Sequence, residues 1–285
     1  MQHFNPMIKI TSIPTGYFKL DGGAMFGIVP RRLWQRTHPP DENNMCTWAM
    51  RCLLIETTDR KILVDTGLGD KQDDKFRSHF EPHGTDSLLG SLQKNGLSPK
   101  DITDVFLTHL HFDHVGGAVS RNTEGALVPT FPNATYWTNQ KHYDWALNPN
   151  PREAASFLKE NFVPLHEHGV LKFIPVEEDG VDWIPGIKVH FSYGHTEAMM
   201  LPEIDQGDHS VFYCADLLAS HFHLGQPYVM SYDIRPLVTI KEKNWLLDRA
   251  VNENLVLFFE HDPLLERAEI MINERGRHAV KPVDI

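Results

Sequence analysis

Cysteine is scarce in this chain: Cys46, Cys52 and Cys214 are the only three among 285 residues, and no two of them stand in a C-x-x-C spacing. That excludes a disulfide framework and a cysteine-built zinc site, and it predicts free thiols in a reducing compartment. Long apolar stretches are missing as well. No run of roughly 18 consecutive apolar residues occurs, and residues 1–10 contain no apolar segment behind basic residues. The expectation is therefore a cytoplasmic protein with neither a secretory leader nor a membrane span. Positive charge is in short supply too. With 27 Lys+Arg against 38 Asp+Glu the formal net charge is −11, so phosphate backbones and other polyanions are repelled and a nucleic-acid partner is excluded. Repeats of fixed period and low-complexity linkers are absent, and the 41% hydrophobic and 23% charged composition is that of one ordinary globular domain spanning residues 1–285. What the chain has in abundance is histidine, 17 residues, the commonest metal ligand and a proton carrier near neutral pH.

Short apolar, β-branched runs recur at 7–13, 51–56, 61–65, 105–108, 135–138, 187–192, 211–215 and 255–259, each ending in a polar or glycine-containing loop. These read as strands. Helical patterns lie between some of them: 86–95 closed by Gly96, 151–161 opened by Asn150 with Pro151 at the first helical position, and 239–252. Strands and helices alternating in this way predict a layered α/β fold.

Residues 108–117 read Thr-His-Leu-His-Phe-Asp-His-Val-Gly-Gly directly after the strand-like Val105-Phe-Leu. In an extended segment His109 and His111 point to one side, so both can grip one ion. Asp113 and His114 lie beyond the turn, where they can face a second ion. Gly116 and Gly117 let the backbone pass close by without side-chain obstruction. A solvated histidine-rich loop would have no reason to follow an apolar strand. Further candidates stand where later strands end, as ligands in α/β folds do: His195 after the 187–192 run, Asp216 after 211–215 and His261 after 255–259, with Asp65 closing the run at 61–65.

Taken in order, Asp65-Thr-Gly, His109 to His114, Gly194-His195-Thr, Ala215-Asp216 and Glu260-His261-Asp resemble the motifs of the metallo-β-lactamase superfamily across nearly the whole chain. The segment Asp21-Gly-Gly-Ala-Met-Phe-Gly-Ile-Val-Pro…Trp34, followed by Pro39-Pro-Asp-Glu-Asn-Asn44, is similar to that of the quorum-quenching N-acyl homoserine lactonases. The resemblance implies an αββα sandwich with metals at one edge. It implies that His109, His111 and His195 bind one ion, that Asp113, His114 and His261 bind the other, that Asp216 bridges both, and that Asp65 orients a histidine ligand from behind. Five histidines and two aspartates suit two divalent ions, zinc foremost, with Mn2+, Co2+ and Fe2+ also compatible.

Two divalent ions, two carboxylates and a bridging hydroxide leave a net charge of about +1, a site suited to anionic transition states at neutral pH without a serine or cysteine nucleophile. The expected activity is opening of the lactone ring of N-acyl homoserine lactones or related neutral lactones and esters. Asp113 is expected to pass a proton to the leaving group, and Asp216 to be essential for turnover. The alternative is an organophosphate or aryl ester hydrolase on the same site. Ala219 stands where many such lactonases have a tyrosine that holds the substrate carbonyl, which leaves that role vacant or relocated. Residues 14–50 are expected to cover the metal edge. Met25, Phe26, Ile28 and Trp34 would supply an apolar pocket wall or a homodimer contact, and His221 and His223 would reach the site mouth.

Overall fold

The computed structural model describes residues 8–283. In chain order its strands are β1 Lys9–Asp21, β2 Met45–Glu56, β3 Lys61–Val64, β4 Asp104–Phe106, β5 Val119–Arg121, β6 Leu127–Pro129, β7 Thr135–Thr138 and β8 Leu171–Phe173. Then follow β9 Val181–Ile184, β10 Ile187–Ser192, β11 Met199–Asp205, β12 Ser210–Tyr213, β13 Leu255–Phe258, β14 Arg267–Ile272 and β15 His278–Pro282. They build a six-stranded sheet in the order β1-β2-β3-β4-β7-β8 and a seven-stranded sheet in the order β15-β14-β13-β12-β11-β10-β9, with β5 and β6 as a separate hairpin.

Period-two alternation explains how the layers stack. Leu53 and Ile55 of β2, with Ile62 and Val64 of β3, join one core with Val189, Met199, Phe212 and Leu257 of the other sheet. Their neighbours Cys52, Leu54 and Leu63 face outward and pack on Leu88 and Leu92 of the helix Leu88–Lys94, which Ser87 caps. On the far side the helix Pro236–Asn252 lays Leu246, Leu247 and Ala250 on the second sheet. The layers are helix, sheet, sheet, helix, an αββα sandwich.

Several elements depart from the sequence expectation, and β2, expected over 51–56, already begins at Met45. The first strand, expected over 7–13, begins at Lys9 and runs on to Asp21, because a register shift between Pro14 and Tyr17 absorbs the proline and lets pairing with β2 resume. Met7 lies outside the described residues. The helix expected over 151–161 does not form. Turns occupy 151–156 and a short 3-10 segment follows at Lys159–Asn161. Asn150 does cap the turn, since its side-chain oxygen accepts from the Arg152 amide at 2.9 Å and its carbonyl from Ala154 at 3.0 Å, but the Ser156 carbonyl is taken by the amide of Phe112 at 3.0 Å and Phe157 is drawn inward against His111. Tertiary partners outbid the local helix. No helix among the described residues is long and apolar enough to cross a membrane.

Candidate metal centre

Strand direction gathers the candidate ligands. β10 and β12 are both antiparallel to β11, and β13 is parallel to β12, so these three strands run the same way and end at one edge. Past those ends stand His195, Asp216 and His261. Past the end of β4 stand His109 and His111, and His111 is the N-cap of the one-turn helix Phe112–Val115 that carries Asp113 and His114. Gly116 and Gly117 seat that turn on the loop after β3: a Cβ at Gly116 would come within 1.9 Å of the Leu68 carbonyl oxygen, and one at Gly117 within 2.4 Å of that of Thr66. Asp65, Ala198 and Ala215, all close to the cluster in sequence, hold positive φ angles of 58°, 51° and 41°, a strained backbone of the kind that accumulates at functional sites.

The side chains form two groups. His109, His111, His195 and Asp216 bring one ligand atom each within 4.8 Å of one another, and so do Asp113, His114 and His261. Asp216 lies between them. One of its oxygens is 3.0 Å from His195 Nε2, 3.5 Å from His114 Nε2 and 3.7 Å from His109 Nε2, and the other is 3.1 Å from His261 Nε2. Asp113 Oδ2 stands 3.8 Å from the Nε2 atoms of both His114 and His261. His109 Nε2 and Asp216 Oδ1 are buried without a hydrogen-bond partner. Buried polar atoms are normally satisfied, and seven nitrogen and oxygen donors converging on two points fit divalent cations.

Behind the ligands sits a ring of partners. Asp65 accepts from the amide and hydroxyl of Thr108 at 2.8 and 2.7 Å and lies 3.2 Å from His114 Nδ1, with Glu260 on the same nitrogen at 3.1 Å. His261 Nδ1 meets the Ala49 carbonyl at 2.7 Å, and the Arg51 guanidinium donates to the carbonyls of Phe259 and Asp262, clamping the loop that carries His261 to β2. Asp233 reaches His195 Nδ1 at 2.9 Å. His142 Nε2 accepts from the Leu110 amide at 2.8 Å, which pins the peptide between His109 and His111. Sequence reading missed Glu153, Asp233 and His142 altogether, since they come from turns and a helix with no motif. Glu260 adjoins His261 in the motif yet received no role.

Burial and charge pull the imidazoles apart. Burial, with the neighbouring His114 and His111, holds His109 well below the usual histidine range. For His195 burial works the same way, but the carboxylates of Asp216 and Asp233 outweigh it and lift the ring to about 10. His261 rises to about 9 against its own burial because Asp216 faces it. His114 is likewise held well above the usual histidine range, against its own burial, by the carboxylates of Glu260, Asp113 and Asp216, so protons on His114, His195 and His261 must give way to cations when the metal-free chain takes them up. Metal uptake near pH 7 should release more than one proton per chain, and the release should shrink as the pH rises through about 9 and 10. Calorimetric titration in two buffers of different ionisation enthalpy measures it; an enthalpy independent of buffer would contradict it. The cysteines offer no competing nucleophile: burial pushes Cys46 up to about 12 and holds Cys52 and Cys214 in the thiol form.

A cavity of about 160 Å³ opens onto His111, Asp113, His195, Asp216 and His261, walled by Leu20, Met25, Phe80, Phe112, Met230 and Tyr232. Of the apolar residues expected there, Met25 lines it. Phe26 and Trp34 do not: they are stacked at 5.1 Å in an aromatic cluster, where they are 0% and 1% exposed, because the segment folds back under itself. Ile28 points to solvent at 86% exposure. His221 and His223 also sit away from the wall. His223 stacks on Phe26 and bonds the Met25 carbonyl at 3.0 Å, and His221 pairs with Asp262. A larger cavity of about 310 Å³, lined by Tyr17, Arg77 and His83, contains none of the ligand candidates.

This arrangement has relatives. Residues 51–261 match the model of the metallo-β-lactamase superfamily. The chain belongs to that superfamily. An N-acyl homoserine lactonase of Bacillus thuringiensis subsp. kurstaki, AiiA, is 25% identical over 268 residues, covering 89% of this chain and 93% of that protein. The crystal structure of a probable metal-dependent hydrolase from Staphylococcus aureus superimposes with a TM-score of 0.87 at 25% identity, covering 98% of each chain. AidC, a dizinc quorum-quenching lactonase solved with its product, gives 0.78 at 21% identity over 98% of this chain and 96% of its own, a likeness of fold. The protein is a metal-dependent hydrolase of the metallo-β-lactamase superfamily related to the N-acyl homoserine lactonases.

Proposed function

We propose that this metallo-β-lactamase-fold hydrolase opens neutral lactones, N-acyl homoserine lactones foremost, with two divalent ions held by His109, His111, His195, Asp113, His114, His261 and the shared Asp216. One observation supports the reading above the others: the cavity that reaches both ligand groups is apolar on its outer wall and carries carboxylates and imidazoles on its floor. An apolar acyl chain gains from burial along Leu20, Met25, Phe80 and Met230, while an ester group is directed to the polar floor. Bound at the floor, divalent ions supply Lewis acidity toward the carbonyl oxygen and acidify coordinated water. Asp113 faces the cavity beside both Nε2 atoms of its group; its carboxylate would take the proton given up by the attacking water and pass it to the departing alkoxide. Polyanionic substrates meet the net charge of −11, and neutral lactones do not. The homoserine lactone relatives and the dizinc lactonase fold support the substrate class and zinc.

Phosphotriester hydrolysis is the second reading, favoured by Ala219, which is 1% exposed and offers no hydroxyl to a lactone carbonyl. Ring opening followed by proton release, for lactones of several acyl lengths beside a p-nitrophenyl phosphotriester at equal metal loading, separates the two. The expected result is a higher kcat/KM for at least one homoserine lactone. A phosphotriester value far above every lactone would reverse the assignment.

A further inference from the structure

Glu153 is 2% exposed and sits on the turn at 151–156, away from any regular element. Its Oε2 accepts from Trp145 Nε1 at 2.8 Å and Asn150 Nδ2 at 2.5 Å, and its Oε1 accepts from the Thr196 hydroxyl at 2.6 Å. Three donors fix the carboxylate so that Oε1 faces His111 Nε2 at 3.6 Å. That nitrogen is buried and has no hydrogen-bond partner of its own, while the other ring nitrogen, Nδ1, faces His195 Nε2 at 3.2 Å, inside the ligand group. The ring is thus oriented with Nδ1 toward the group and Nε2 toward a carboxylate.

The same turn supports the second imidazole of that group. Thr196, a donor to Glu153, adjoins His195, and Arg152 donates to the carbonyls of Ser231 and Asp233, the latter at 3.3 Å, where the Asp233 side chain holds His195 Nδ1. The other group draws its support from different segments: Asp65 after β3, Glu260 after β13 and the Ala49 carbonyl in β2. Asp65 is shared, because the Thr108 hydroxyl that bonds it also lies 3.1 Å from His109 Nδ1, whereas of the ligand candidates Glu153 meets only His111.

We propose that Glu153 is a positioning residue for one metal position only, that of His109, His111 and His195, and that its removal weakens binding at that position while sparing the other. This rests on the two-ion reading of the site. Partners behind a ligating histidine fix its tautomer and ring orientation, and their loss typically costs about 10- to 100-fold in metal affinity. Here that loss falls on one position, because among the described residues no side chain of the turn at 151–156 is hydrogen-bonded or ion-paired with His114 or His261.

The test is a Zn2+ titration of metal-stripped wild type, Glu153→Gln and Glu153→Ala against a competing chelator, with bound ions counted after dialysis and folding followed by thermal melting of the stripped proteins. Wild type should bind two ions. In Glu153→Ala one step should weaken about 10- to 100-fold while the other stays within about twofold. Glu153→Gln should fall between them, because its amide oxygen can still face His111 Nε2 but carries no charge; it decides the matter if the alanine variant does not fold. Wild type holding a single ion would overturn the two-ion reading and the selective role with it. Wild type holding two, with both steps unchanged or equally weakened in the variants, would overturn the role of Glu153 alone.

Discussion

Asp216→Asn should cost turnover by a factor on the order of 10³, about 4 kcal/mol of transition-state stabilisation, and should leave the protein with fewer than two ions. The carboxylate is 7% exposed and stands within 3.0 to 3.7 Å of four imidazole nitrogens from three separate loops. Asparagine keeps the shape, removes the charge, and turns an N–H pair toward nitrogens that are waiting for cations. Like-signed donors then face one another where opposite charge was needed, and the two ligand groups lose the atom they share. Steady-state kinetics at saturating metal and elemental analysis after dialysis check both halves. Activity within tenfold of wild type, with two ions retained, would remove Asp216 from the centre of the site.

Lys243→Met should lower stability by on the order of 4 kcal/mol, about 10 °C in melting temperature for a chain of this size, and should weaken catalysis although no ligand is touched. Lys243 lies in the middle of the helix Pro236–Asn252 and is 1% exposed. Its ammonium donates to the carbonyls of His223, Gly225, Gln226 and Tyr228 at 3.0, 2.8, 3.2 and 2.9 Å. Burial pulls its pKa down to about 8, so the group is still charged at neutral pH. Methionine fills the volume but leaves four carbonyls without a donor, and an unmade hydrogen bond in the interior is more expensive than an absent one. The loop tied down in this way leads directly to Met230 and Tyr232 on the cavity wall and to Asp233 behind His195. Thermal unfolding and KM measured together test the point; a melting temperature within 2 °C of wild type would show that the carbonyls find other partners.

Much of the site was legible because it is local. His109, His111, Asp113 and His114 occupy six consecutive positions after a buried strand, and Asp216 and His261 each follow a run of apolar residues that can only be a central strand. Strand ends are where this architecture exposes side chains, so pattern and position agreed. The outer partners were not legible, for a physical reason. Glu153 and Asp233 reach the imidazoles from turns whose conformation is set by long-range bonds, such as the Ser156 carbonyl to Phe112 and the Asp233 carboxylate to the Met230 amide at 3.1 Å. Nothing periodic marks such residues. Phe26 and Trp34 leave the pocket wall for a related reason: the helix Gly22–Phe26, capped by Asp21, turns the Phe26 ring inward onto Trp48 and His223, and Trp34 at the end of the helix Arg31–Trp34 stacks on Phe26. Residues 151–161 carried a correct capping signal and still formed no helix, because capping energies of about 1 kcal/mol are smaller than the tertiary bonds that the turn makes.

Most of the cavity wall comes from other parts of the chain than its floor, Phe112 on the ligand-bearing turn being the exception. Leu20, Met25, Phe80, Met230 and Tyr232 belong to β1, the helices Gly22–Phe26 and Asp74–Phe80 and the loop before Asp233, whereas the ligands belong to the loops after β4, β10, β12 and β13. Reactivity and selectivity are therefore inherited on separate segments. A lineage can exchange Met25 for a larger or smaller side chain and change which molecules are admitted while every donor atom keeps its place. Descendants of one such ancestor are free to diverge toward new substrates by small steps, each of which leaves a working hydrolase behind it.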